Sequence, residues 1–133
     1  MKIIDSFDKI NLIISGMRSV EEYELICEGD RTTVSLYNIF YCSDNDRRRL
    51  AKSVSCDTGD ILRLLNECKI PKWDGFSGKN PIGVRDGYMF RFEAELGDGR
   101  TIRADGSNNY PKGYREFLSA VSQMLREREN NDE

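Results

Sequence analysis

"YELICEGDRTTVSL", residues 23–36, is the stretch on which the fold turns. Tyr23, Leu25 and Cys27 alternate with other residues before Gly29-Asp30, and Val34 and Leu36 alternate after it. Alternation on both sides of a glycine-led dipeptide predicts a β-hairpin with a type II′ turn, which wants glycine first. A two-residue turn sets Glu28 against Arg31, Leu25 against Val34 and Tyr23 against Leu36. Apolar then meets apolar, and opposite charges meet beside the turn. A slip of one residue would reverse every side chain, so the pattern specifies the register strongly.

The same logic extends outward. Upstream, Ile10, Leu12 and Ile14 alternate, and a four-residue loop from Gly16 to Ser19 sets Leu12 opposite Tyr23 and Ile10 opposite Leu25. Downstream, "RRRLAKSVSC" (47–56) reads as a fourth strand after an Asp44-Asn45-Asp46 loop. That loop pairs Phe40 with Leu50, Leu36 with Val54 and Val34 with Cys56; a short helix is the competing reading. In "CDTGDILRLLNECKIP" (56–71), Asp57 or Thr58 caps a helix with Ile61, Leu64, Leu65 and Cys68 on one face, and Pro71 ends it. In "DGYMFRFEAELGDGRTIRAD" (86–105), a three-residue Gly97-Asp98-Gly99 loop pairs Ala94 with Ile102 and Phe92 with Ala104. It also sets Glu93 against Arg103 and Arg91 against Asp105, with Gly99 left-handed in a G1 bulge. Tyr114, Phe117, Leu118, Val121 and Leu125 mark a second amphipathic helix. "GSNNYP" (106–111) punctuates its start, with Tyr110 as N-cap and Pro111 as the first helical residue. The expectation is an α+β fold: one two-layer domain over residues 1–125. Its antiparallel sheet has five or six strands, a meander plus a hairpin, with two helices packed on one face. A charged tail follows at 126–133, expected to fray.

Charge and composition narrow the chemistry. The 133 residues hold 23 acids and 20 bases, for a net charge of −3. The tail alone, with four acids and two bases, supplies −2 of it. A nearly neutral body argues against bulk attraction to nucleic acid or to an anionic membrane. The N-terminus has no uninterrupted apolar h-region, and no run approaches the roughly 18 apolar residues of a membrane span, so a cytoplasmic chain is expected. There is no histidine, and Cys27, Cys42, Cys56 and Cys68 form no CxxC pair. Free thiols, no metal and no cofactor are therefore expected. No Walker, GxGxxG, HExxH, GxSxG or EF-hand pattern occurs, and a nucleophile would lack the usual neutral-pH base. Of the spare carboxylates, Asp86 fits a turn and Asp105 fits its partner Arg91, while nothing brings Glu67 to either. A non-enzyme is the expectation.

Three surfaces remain as candidates. The pairings turn Ile13, Val20, Ile26, Tyr37, Ile39, Tyr41 and Met89 away from the helices, with Val20, Ile39 and Ala51 as lateral neighbours. An open apolar-aromatic patch among charged residues suits a protein interface or self-association. The tryptophan connection and second helix start offer Trp73, Phe76, Asn108, Asn109 and Lys112 for a small molecule or anion, or else an aromatic plug under the loop. The run Arg47, Arg48, Arg49 with Lys52 is the one basic cluster, more simply a solvated hairpin tip than a nucleic-acid site.

"WDGF" (73–76), "DG" (86–87), "GDG" (97–99) and "GSNNYP" (106–111) together resemble a family of short proteins from Gram-positive-type gut and soil bacteria. The pattern is tryptophan loop, Asp-Gly, β-hairpin, Gly-x-Asn-x-Tyr-Pro, helix, over residues 60–125. The resemblance implies a stand-alone or appended α+β domain and carries over no catalytic residue. Similar exported chains begin with a lipoprotein-type signal, which is not seen here. The expected function is a small non-enzymatic binding module working through protein contacts or self-association. The alternatives are an inhibitor of a nucleic-acid enzyme of mobile-element type, and a small-molecule or anion-binding domain.

Overall fold

The structure, a computed structural model, describes residues 3–16, 20–41, 46–78, 89–107 and 109–131, with the backbone alone at 41, 46, 47 and 127–131. β1 (Phe7–Ser15), β2 (Val20–Glu28) and β3 (Arg31–Tyr41) form the expected meander. Leu12 faces Tyr23, Ile10 faces Leu25, Tyr23 faces Leu36 and Glu28 faces Arg31. Gly29 has φ +67 while Asp30 keeps a negative φ, which is the type II′ signature.

β4 (Asp46–Asp57) is a strand, not a helix, but its register differs from the expected one. Val34 pairs with Val54, Leu36 with Lys52 and Phe40 with Arg47. Two effects account for this. A two-residue slide keeps Val54 and Cys56 facing the core and brings Arg31 opposite Asp57. A bulge then leaves Ala51 unpaired between the Leu36–Lys52 and Tyr37–Leu50 pairs. An extra residue re-aims everything beyond it, so Arg48 reaches the outer face and sits opposite Ile39, where Ala51 was expected.

β6 (Met89–Leu96) and β7 (Thr101–Ser107) form the second hairpin in the expected register, Ala94 to Ile102 and Phe92 to Ala104. The Gly99 N–H donates to the Leu96 carbonyl at 3.1 Å, and Gly99 has φ +91, as the three-residue loop requires. The sheet order is β4-β3-β2-β1-β6-β7-β5, seven strands where five or six were expected. The addition is β5 (Ser77–Gly78), paired parallel to β7, so the sheet is mixed rather than purely antiparallel. Two residues carry no alternation to read. Their role is to cover the β7 edge: Asp105 N donates to Phe76 O at 3.0 Å, and Gly75 N to Arg103 O at 2.9 Å.

α1 (Thr58–Glu67) starts at Asp57, whose carboxylate accepts the Asp60 N–H at 3.3 Å. Ile61 and Leu65 are buried in the core, and Asn66 pins the N-terminal segment by exchanging 2.8 Å hydrogen bonds with Ile4. Lys69 leaves the helix at φ +62, and Pro71 lies in the 3-10 turn Ile70–Trp73 that follows. α2 (Tyr114–Asn131) begins three residues later than expected and continues past Arg126. Pro111 is not its first helical residue; the Pro111 carbonyl accepts the Tyr114 N–H at 3.1 Å in a turn before it. Gly113 sets the start. It has φ +93, and a Cβ there would lie 2.0 Å from the Cys68 carbonyl oxygen at the end of α1. Both helices pack on the face bearing Leu12, Leu25, Val34, Phe92 and Ala104. Among the described residues no helix is long and apolar enough to cross a membrane.

Candidate functional site

The opposite face of the sheet has no covering layer among the described residues, yet its centre is not bare. Register places Asn11 and Ile13 of β1, Glu22 and Glu24 of β2, Tyr37 and Ile39 of β3, and Arg48 of β4 on it in adjacent rows. Arg48 crosses the rows. Its guanidinium lies 3.4 Å over the Tyr37 ring, with Nε 2.7 Å from Glu22 Oε1 and Nη2 3.0 Å from Glu24 Oε2. Asn11 Nδ2 donates to Glu22 Oε2, and Lys9 Nζ stands 3.7 Å from Glu24 Oε2. Glu22 and Glu24 are each only 8 % exposed, because the Arg48 and Tyr37 side chains roof them.

This changes the expected apolar patch. Val20 is buried, Ile13, Ile26, Tyr37 and Ile39 are half-buried, and Met89 is 57 % exposed. The Tyr41 side chain lies outside the described residues. The apolar side chains therefore flank a charged centre instead of forming one stripe. The ion network was open to sequence reasoning in part: the expected β1–β2 register already put Glu22 and Glu24 in one row beside Asn11 and Lys9. Arg48 was not, since only the bulge brings it there.

The basic run does not form one patch. Alternation sends Arg48 to the outer face, while Arg49 stands 5.9 Å over Phe40 on the helix side, with Lys52. The Arg47 side chain lies outside the described residues. The tryptophan connection also departs from a pocket wall. Trp73 is 1 % exposed, packs edge-on to Phe92 at 4.9 Å and Phe117 at 5.9 Å, and donates its indole N–H to Lys112 O at 2.9 Å. It plugs the core and has no surface to offer a ligand. Phe76 is half-buried beside Phe90, Asn109 and Lys112 are exposed, and Asn108 lies outside the described residues. Gly106 lets that segment close on the sheet, since a Cβ there would lie 2.2 Å from Asn109 O.

The carboxylates do not converge. Asp105 sits opposite Arg91 and accepts from Ser77 Oγ at 3.2 Å, Glu67 ends α1, and Asp86 lies outside the described residues. Cys56 and Cys68 are buried and Cys27 half-buried, all as free thiols; Cys42 lies outside the described residues. No group of three metal-ligating side chains occurs among the described residues. Burial pushes the Cys68 thiol up from 9.0 to about 11, with Glu116 and Glu67 adding to it, which disfavours the reactive thiolate. No protein-family model and no curated protein matches the chain.

Proposed function

We propose that this protein is a small binding module that works through protein contacts, or self-association, on the uncovered face of its sheet. The observation carrying the reading is the Arg48–Tyr37–Glu22–Glu24 network. It is held rigid by the sheet, and half-buried Ile13, Ile26 and Ile39 flank it. Tyrosine and arginine are enriched in interfaces, and ion pairs already satisfied within one partner do not have to be desolvated unpaired on docking. The non-enzymatic reading is supported by the chain's lack of histidine and by carboxylates that stand apart.

The test is oligomeric state by light scattering, with a pull-down using the wild type as bait, against Ile13→Lys and Ile39→Glu. Ile13 sits opposite Glu22, and Ile39 opposite Arg48, so each introduced charge meets its opposite and the fold is retained. A dimer or a captured partner that both variants lose is expected. A monomeric wild type with no captured partner would sink the idea.

A further inference from the structure

The helix side of the sheet is covered incompletely, and the gap has a definite shape and charge. Two open cavities, of about 420 and 210 Å³, lie along one flank of α2 on either side of Tyr23, whose hydroxyl hydrogen-bonds Ser122 of α2 between them. The α2 side is a single stripe: Arg115, Leu118, Ser122, then Leu125 and Arg126. The floor crosses four adjacent strands through Ile14, Tyr23, Leu36 and Lys52. Two independent measures agree on its length. Eleven residues of helix rise span about 16 Å, and four strands spaced by about 4.8 Å span about 14 Å. Beyond Lys52 the helix side continues to Phe40, which is 50 % exposed.

We propose that this groove docks an acidic amphipathic helix, about three turns long, contributed by a partner protein. Charge complementarity selects the occupant. Among the described residues that line the groove, Arg115 and Arg126, with Lys52, stand beside one carboxylate, Glu21, a local cationic surface on a chain of net charge −3. Arg49, over Phe40, extends the cationic side. The half-buried aliphatic side chains of Ile14, Leu36 and Leu118 call for apolar side chains on one face of the guest. A helix suits the groove because it lies over the face of the sheet: β1, β2 and β3 have neighbours on both sides, and at the β4 edge the bulge at Ala51 interrupts the strand beside Lys52. An extended guest lying over the inner strands would have no ladder to join, whereas a helix satisfies its own backbone. A single nucleic-acid strand fits less well, since Tyr23 and Tyr114 are only 7 % and 5 % exposed and the half-buried Tyr110 already stacks on Tyr114 at 4.5 Å.

The test is a phage-display selection of random 16-residue peptides on the full chain. Fluorescence polarisation of the winners follows, on wild type and on Arg115→Glu/Arg126→Glu. Both arginines are exposed on α2, so that variant keeps the fold. Expected are acidic winners with apolar residues at i, i+3 or i+4, and i+7. Their affinity should fall at least tenfold in the charge-reversed variant and fall with added salt. Ile13→Lys and Ile39→Glu should leave it unchanged, which separates this surface from the outer face. The proposal is overturned if no winner depends on Arg115 and Arg126, or if the winners are neutral or basic. An oligothymidine of 20 nucleotides that displaces them overturns it in favour of nucleic acid. Groove-dependent self-association overturns it in favour of a second copy.

Discussion

Arg48 shows how much one side chain can organise when a bulge re-aims it. The side chains of Glu22 and Glu24 are 11 % and 10 % exposed, while Arg48 keeps 42 %. Removing the partner of a fully buried carboxylate costs several kcal/mol, but here water reaches the arginine and screens the pair. Lys9 and Asn11 also stay behind. Arg48→Ala should therefore cost about 1–3 kcal/mol, read as a lower urea midpoint at pH 7. Adding Glu22→Gln should recover part of it, and purely additive losses would show that the two residues do not act together. The exposed Arg63–Asp60 pair on α1, at 70 % and 59 %, is the contrast, because such pairs contribute almost nothing.

At the scale of elements, the sheet's two edges are managed differently. The β7 edge is closed by the connection that carries Trp73: Asp74 Oδ1 accepts the Arg103 N–H at 3.1 Å, and β5 follows. The β4 edge is open in sequence order but not bare. Thr58 N donates to Asp30 O at 2.9 Å, so alternation turns the backbone groups of Ser53 and Ser55 away from β3. Arg31 reaches over and donates from Nη2 to the Ser55 carbonyl at 3.0 Å and from Nε to the Ser55 hydroxyl at 3.1 Å. An arginine on the exposed carbonyl and a bulge at Ala51 both hinder pairing with another strand. Arg31→Ala should leave thermal stability within about 0.5 kcal/mol yet raise self-association on mild heating, followed by light scattering. No change in association would mean that the bulge alone guards the edge.

For the whole molecule, the packing of both helices against one sheet face joins the two hairpins into one core. Trp73, the only tryptophan, stands where β6, β7, α2 and the 3-10 turn meet, so its fluorescence reports global unfolding. Alkali tests the coupling. Burial raises the Cys68 thiol to about 11 from 9.0, and raises the Tyr114 hydroxyl well above its usual 10.0, with Tyr110 and Tyr23 adding to it. The unfolded chain gives up these protons first. Their contribution is complete below pH 9 and is lost as pH rises, through about 11 for Cys68 and higher for Tyr114. The unfolding free energy should fall by about 2–3 kcal/mol across that window for Cys68 alone, measured by Trp73 fluorescence in urea. A stability flat to pH 11 would contradict the burial of both groups.

What the amino-acid order settled by itself is local. The Gly29-Asp30 turn and the Gly97-Asp98-Gly99 loop each fix a hairpin register, because alternation and turn geometry must agree within about ten residues. The Ile61, Leu64, Leu65 and Cys68 stripe and the Phe117, Val121 and Leu125 stripe place two helices for the same reason. The tertiary structure decided what depends on distant partners. The bulge at Ala51 turns Arg48 onto Glu22 and Glu24, which lie more than twenty positions away in sequence. α2 starts after Gly113, and not at Pro111, because Gly113 takes a non-helical φ of +93 where Cys68 at the end of α1 leaves no room for a Cβ. The β5 pairing and the groove beside α2 arise only when strands and helices are stacked. No periodicity in the chain encodes them.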